Sequence, residues 1–173
     1  MSKYVAFLRA INVGGHTVKM DQLRRLFEGD GFANVETFIA SGNVIFDSTA
    51  RTAKSLEKQI ESVLQKALGY PVTTFLRSIP EVADIANYHV GPEGALYVAF
   101  LPDPPGGASV KQLLAFQTEI DTFEVRKREV YWHCSARFSD SKFSGALLEK
   151  TLAMPATIRN ITTIRKLAAK YSL

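Results

Sequence analysis

Apolar residues along this chain fall in two kinds of pattern, short unbroken runs and spaced helical stripes, and the two kinds alternate. Lys3 to Arg9 is apolar without polar alternation, which predicts a central strand covered on both faces. A loop from Ala10 to Thr17 holds Gly14-Gly15. A helical pattern follows with Met20, Leu23 and Phe27 on one face, closing near Gly29 and Gly31. Val35 to Ala40 and Val44 to Asp47 read as strands joined by Ser41-Gly42-Asn43, residue types that tolerate a tight turn. The next stripe, Ala53, Leu56, Ile60, Val63/Leu64 and Ala67, predicts a second helix with Gly69 as its C-terminal cap. Val72 to Arg77 is a fourth strand. The order β-α-β-β-α-β is that of a ferredoxin-like plait, in which two split βαβ units share one antiparallel sheet.

The pattern then starts again. Ser78-Ile79-Pro80-Glu81 carries the spacing of a capping box with proline in the first turn, predicting a short helix to about His89. Gly91-Pro92-Glu93-Gly94 breaks the chain. Beyond it Tyr97 to Leu101 repeats Tyr4 to Leu8 letter for letter, Tyr-Val-Ala-Phe-Leu, and Gly106-Gly107 follows as Gly14-Gly15 does in the first copy. A helix from Val110 to Glu119, a hairpin of Thr122 to Lys127 and Val130 to Cys134, and a helix from Ser144 to Met154 extend the repeat at least through β-α-β-β-α. The last strand of this half has no clear sequence signal. Thr157 reads as the N-cap of a closing helix with Ile161, Ile164, Leu167/Ala168 and Tyr171 on its apolar stripe. The expected architecture is therefore α+β: two ferredoxin-like plaits with antiparallel sheets plus a C-terminal helix. Residues 1–77 form the first plait, 78–94 the connection, and 95–173 the second plait-like half with the closing helix.

Composition adds limits. At 173 residues, 46% hydrophobic and 22% charged, the chain has an ordinary globular make-up. Arg9 and Asp103 interrupt its longest apolar runs well short of the roughly 20 residues of a membrane span. The start, Met-Ser-Lys-Tyr, enters a strand directly and lacks the features of a secretory signal, so a cytoplasmic protein with no membrane partner is expected. The single cysteine, Cys134, forms no internal disulfide and has no cysteine partner for a structural zinc, and no cofactor is expected. The net charge is +4, unevenly placed. The first 25 residues carry five basic side chains against Asp21, and from Lys150 onward there are five basic residues and no acidic one. Residues 26–149 hold 11 basic and 16 acidic side chains. Two cationic chain ends favour an anionic partner if they meet, although solvated basic helix faces produce the same count.

Three segments offer chemistry. The loop Arg9-Ala10-Ile11-Asn12-Val13-Gly14-Gly15-His16 leaves a central strand for a helix, where free backbone N–H groups can face an anion. It is neither a Walker A loop nor a dinucleotide fingerprint, and a glycine turn with Ile11 and Val13 in the core explains it equally. Ser41-Gly42-Asn43 is explained by hairpin geometry alone. In Thr157 to Thr163, if Thr157 is the N-cap, Arg159 lies in the first turn of a helix, where the macrodipole disfavours it; an anion or a carboxylate nearby would compensate, and a surface arginine reaching into solvent explains it equally. The histidines, His16, His89 and His133, have no metal-ligand spacing. His133 and Cys134 are adjacent on a strand and face opposite ways, so no cysteine nucleophile is activated there.

Leu8-Arg9-Ala10-Ile11-Asn12-Val13-Gly14-Gly15, Val18-Lys19-Met20, Ser41-Gly42-Asn43-Val44, Tyr97 to Leu101 and Thr157 to Thr163 together resemble the bacterial family catalogued as domain of unknown function 1697. The resemblance spans nearly the whole chain and implies two α/β plait subdomains. It points to Arg9, Asn12, Gly14, Gly15, Lys19, Ser41, Asn43, Arg159, Asn160 and Thr163 as motif residues, and it brings no activity. Family members often carry an aromatic residue after the Arg-Asn pair, where this chain has Ile161.

Three functions are expected in order. The first is binding of a small anionic or phosphorylated ligand by the Arg9 to Gly15 loop, Asn43 and Arg159-Asn160. The second is acylphosphatase-like hydrolysis, with Arg9 holding phosphate and Asn12 or Asn43 placing water, although the acylphosphatase loop sequence is absent. The third is a nucleic-acid or protein-binding module, though Ser41 to Phe46 lacks the aromatic pattern of RNA-recognition strands.

Overall fold

The computed structural model describes residues 1–9, 17–38, 42–50, 52–89, 94–136 and 141–171. It divides into two compact units, Met1–Ala86 with Lys166–Leu173, and Asn87–Arg165, so the boundary falls twice, once after α3 and once inside the last helix.

The first unit runs β1 (Ser2–Leu8), α1 (Met20–Gly29), β2 (Ala33–Thr37), β3 (Asn43–Ser48), α2 (Ala53–Leu68), β4 (Thr74–Ser78) and α3 (Ile79–Ala86). Its strands lie in the order β2-β3-β1-β4 and every pairing is antiparallel. That is the plait order, and β1 is an inner strand, as its unbroken apolar run requires. Tyr4, Ala6 and Leu8 point with Val44, Phe46 and Leu76 toward the helices, meeting Leu23 and Phe27 of α1 and Leu56, Ile60 and Leu64 of α2. Phe27, Phe32 and Phe46 fill the centre, with Phe32 and Phe46 ring centroids 4.6 Å apart. Each such ring, once buried, contributes about 2–3 kcal/mol. The opposite face is buried as well: Val5, Phe7, Ile45 and Phe75 have no exposed surface, and neither does Arg77. Helix α3 packs on β1 and β4 and buries Val82 and Ile85.

Local signals explain the element ends. Gly69 caps α2 in the left-handed conformation at φ 83°, its N–H donating to Gln65 O at 2.9 Å. The capping box at α3 is complete. Glu81 N donates to Ser78 Oγ at 3.3 Å and Ser78 N donates to Glu81 Oε1 at 3.0 Å. The helix it starts ends at Ala86, short of His89. Met20 does not join the α1 stripe; at the first helical position it stays exposed.

The second unit runs β5 (Ala95–Phe100), α4 (Gly107–Leu114), β6 (Asp121–Arg126), β7 (Glu129–Cys134), α5 (Gly145–Leu152), β8 (Thr157–Asn160) and the start of α6 (Ile161–Tyr171). The sheet order is β6-β7-β5-β8, again antiparallel throughout. The repeat thus covers every element, including the strand that the sequence did not reveal. Helix α4 begins at Gly107 and ends at Leu114, earlier than its stripe predicts at both ends, because Gly106 takes the N-cap position. Trp132, Phe123, Phe143, Leu113 and Leu148 make the helix-side core. On the other face Tyr88, from the chain just before β5, stacks on Tyr131 at 3.9 Å, with the Arg126 guanidinium 4.8 Å from the Tyr88 ring. Arg165 Nη2 ties the same segment down by donating to Tyr88 O at 2.8 Å.

The final turns of α6 belong to the first unit. Tyr171 donates its hydroxyl to Glu36 Oε2 at 2.5 Å, and its ring meets Phe38 edge-on at 6.3 Å. Lys170 Nζ lies 3.9 Å from Glu36 Oε2 and 5.4 Å from the Phe38 ring centre. β2 is an edge strand, and these contacts cover its end.

Candidate functional site

Of the residues that the sequence singles out, Asn12, Gly14, Gly15 and Ser41 lie outside the described residues. The others divide between the units.

In the first unit, Lys19 stands at the head of α1, and Arg9 and Asn43 come to one end of the sheet. β1 finishes here while β3 and β4 begin, because both neighbours run antiparallel to it. Leu8 N donates to Gly42 O at 2.8 Å and Arg9 N donates to Thr73 O at 3.0 Å, so the end of β1 is held from both sides. Arg9 is half-buried. Asn43 stands opposite Phe7 in the ladder and is 3% exposed. Its side-chain amide donates to Phe38 O at 3.0 Å while Phe38 N donates to Asn43 O at 3.0 Å, so one residue closes the β2–β3 hairpin through both side chain and backbone. Lys19 occupies the N-cap of α1 with extended backbone and no side-chain cap, and it is exposed. Asp21 follows in the first turn. Lys19 puts an ammonium at the first N–H groups of a helix and Arg9 puts a guanidinium at the end of β1, groups whose chemistry suits an anion.

In the second unit the expected placement of Arg159 is corrected. Thr157 is not a helix cap: Thr157–Asn160 is strand β8, and α6 starts at Ile161. Arg159 therefore escapes the unfavourable helix position. Its Nη1 donates to Thr157 Oγ1 at 2.7 Å and to Ile158 O at 3.0 Å. Burial pushes its pKa down to about 10, which leaves it protonated near neutrality. Asn160 is the true cap, its Oδ1 accepting from Thr162 N at 2.9 Å. Thr163 lies in the first turn of α6, half-buried.

The strand register gives Arg159 a counterpart. Val98 pairs with Arg159, and Val5, its equivalent in the repeated pentapeptide, pairs with Arg77. The guanidinium of Arg77 repeats the local bond, Nη1 donating to Leu76 O at 2.9 Å. Leu76-Arg77-Ser78-Ile79 and Ile158-Arg159-Asn160-Ile161 are thus the same structural unit: strand, arginine bonded to the preceding carbonyl, polar cap, helix. Sequence reasoning passed over Arg77. Aligning the two Arg-polar-Ile triplets would have found both it and β8.

Other groups read as structural. Among the described residues no cluster of three or more His, Cys, Asp or Glu could hold a metal, and no helix is long and apolar enough to cross a membrane. Cys134 is buried, its Sγ 3.4 Å from Ala136 O. Asp121, at the start of β6, accepts from Trp132 Nε1 at 2.8 Å and from Ser141 Oγ at 2.6 Å.

Duplicated plaits with an arginine at the same place on each fourth strand define an α+β protein of tandem ferredoxin-like units. The chain belongs to the family described as "Protein of unknown function (DUF1697)", whose model matches residues 1–131. Among solved structures it is similar to the conserved bacterial protein SP0830 from Streptococcus pneumoniae, at 24% identity and a TM-score of 0.75, over 100% of this chain and 99% of that one. That likeness is one of fold. No curated protein matches the chain.

Proposed function

We propose that the protein binds a small anionic ligand, of the size of inorganic phosphate or a phosphorylated metabolite, at the end of the first sheet where β1 passes into its loop. The observation that carries this reading is the pinned end of β1. Two backbone bonds, from Leu8 N to Gly42 O and from Arg9 N to Thr73 O, fix Arg9 where β1 ends between the starts of β3 and β4. Lys19 stands at the head of α1, the element that the same loop enters. A guanidinium, an ammonium and helix N–H groups recognise oxyanions through charge-assisted hydrogen bonds, and a fixed strand end lowers the ordering cost of binding. Asn43 supports the reading by holding the adjacent hairpin, and Gly14 and Gly15 by their place in the loop sequence. The reading rests on Arg9 and Lys19 of the first unit.

Thermal shift with inorganic phosphate and a panel of phosphorylated metabolites tests it. A ligand at a hundred times its Kd stabilises the native state by about 2.7 kcal/mol, a rise of roughly 5–10 °C for a chain of this size. Arg9→Ala and Lys19→Ala should each remove the rise, measured against that variant's own ligand-free Tm. A panel with no hit, or a hit indifferent to both substitutions, sinks the reading. The plait topology favours one narrower form, hydrolysis of an acyl phosphate without a protein nucleophile. Benzoyl phosphate turnover that Arg9→Ala abolishes would support that form.

A further inference from the structure

The helix-side core of the second unit does not end at a closed surface. Between the chain that leaves α4 and the start of α5 it opens into a cavity of about 660 Å³ whose walls include Phe116, Ile120, Phe143 and Leu147. A second hollow of about 440 Å³ shares Ala115, Phe116 and Leu147 with it and continues along α5 to Lys150 and Thr151. The larger volume falls inside the range of pockets that take small organic molecules. Its rings are continuous with the core: Phe116 lies 5.9 Å from Phe143, and Phe143 lies 4.5 Å from Phe123 and 5.2 Å from Trp132. Phe116 is nevertheless 41% exposed and its neighbour Leu114 39%, on a chain whose other large apolar side chains are mostly buried.

The polar groups here are few and unequal. Asp121 has both carboxylate oxygens engaged, by the Trp132 indole and the Ser141 hydroxyl. Glu119 is an exposed acid on the wall. Lys142 lines the larger cavity and Lys150 the smaller, and among the described residues neither enters an ion pair. Apolar aromatic walls with available ammonium groups select a flat apolar body that carries a negative charge.

We propose that this cavity is a binding site for a small aromatic carboxylate, its ring against Phe116 and Phe143 and its carboxylate at Lys142. The site lies within the second unit and is independent of the anion site at Arg9. Its ligand is recognised mainly by its apolar ring, where the other site recognises an oxyanion alone.

The protein carries its own reporter, because Trp132 is its one tryptophan and its indole N–H bonds to a residue of the cavity wall. The intact protein would be titrated with 2-naphthoate and, separately, with neutral 2-naphthamide, following the single indole cross-peak in ¹H–¹⁵N spectra. A saturable shift with naphthoate is expected, with naphthamide binding at least tenfold more weakly. Lys142→Gln should erase that preference without changing naphthamide affinity, and Phe116→Ala should weaken both ligands alike. An indole peak that does not move, equal affinity for the two ligands, or a naphthoate preference that survives Lys142→Gln would overturn the assignment. Failure of phosphate binding at Arg9 leaves every one of these readouts unaffected.

Discussion

Replacing Gly94 by alanine is the sharpest available test of how the second unit is assembled. Gly94 precedes β5 at φ 85°, a conformation costing an L-residue about 1–2 kcal/mol. A Cβ there would also stand 2.2 Å from Cys134 O, 2.6 Å from Ser135 Cα and 2.9 Å from Cys134 C, all backbone and all inside the closest approach that real Cβ atoms make. No side chain can rotate away, so the end of β7 must move. That end is tied by the Ala95–Cys134 and Asp121–Cys134 pairs and by Ser135 N donating to Ile120 O at 2.9 Å. Overpacking of this kind costs about 1–3 kcal/mol, and each strained ladder bond about 1 more. The expected loss is about 3–5 kcal/mol, a fall in Tm of roughly 10 °C by far-UV circular dichroism. Gly31→Ala is the control. Gly31 has nearly the same backbone, φ 94°, with nothing within 4 Å of an added Cβ, so its substitution should cost only the conformational penalty. If the two variants lose the same stability, the steric argument is wrong.

Other outcomes follow from single contacts. Asp121→Ala removes the acceptor of a buried indole N–H and should cost about 2–4 kcal/mol in urea denaturation followed by Trp132 fluorescence, whereas Asp121→Asn keeps an acceptor and should cost about 1. Equal losses would refute the role given to the bond. Ser78→Ala should destabilise by about 1 kcal/mol through loss of the α3 cap; a change below a few tenths would mean that the capping box is decorative. Burial, then the hydrogen bond to Glu124, raises the Tyr88 phenol pKa to about 12. The unfolded phenol ionises near 10, so between pH 10 and 12 the unfolded chain holds fewer protons and the Tyr88 contribution to stability declines as pH rises. Wild type should therefore lose ground against Tyr88→Phe when denaturation midpoints at pH 11.5 are compared with those at pH 9, and parallel midpoints would contradict this.

Much of the fold was legible because the sequence carries the physical cause of each feature. The unbroken Tyr4 to Leu8 run announced an inner strand, Gly69 a left-handed cap, and Ser78 to Glu81 a capping box. β8 was not legible because Thr157-Ile158-Arg159-Asn160 flows into Ile161-Thr162-Thr163-Ile164 with no glycine or proline between them. β-branched residues on both sides fit a strand or a helical stripe equally well, and only pairing with β5 decides. The same ambiguity fits Arg159 to a helix start; on the strand its guanidinium donates to Thr157 Oγ1 and Ile158 O instead. The cavity beside Phe116 left no trace in the sequence, because a hollow arises from distant segments that no periodicity links.

The divided closing helix bears on how the protein is made. Glu36 and Tyr171 are bonded across 135 positions, so β2 leaves the ribosome long before the side chain that covers its end. During that interval the first plait has its helices and sheet but an open edge, and unpaired edges are where nascent chains associate wrongly. The last turns of α6 act as a late fastening on the part of the molecule that was synthesised first.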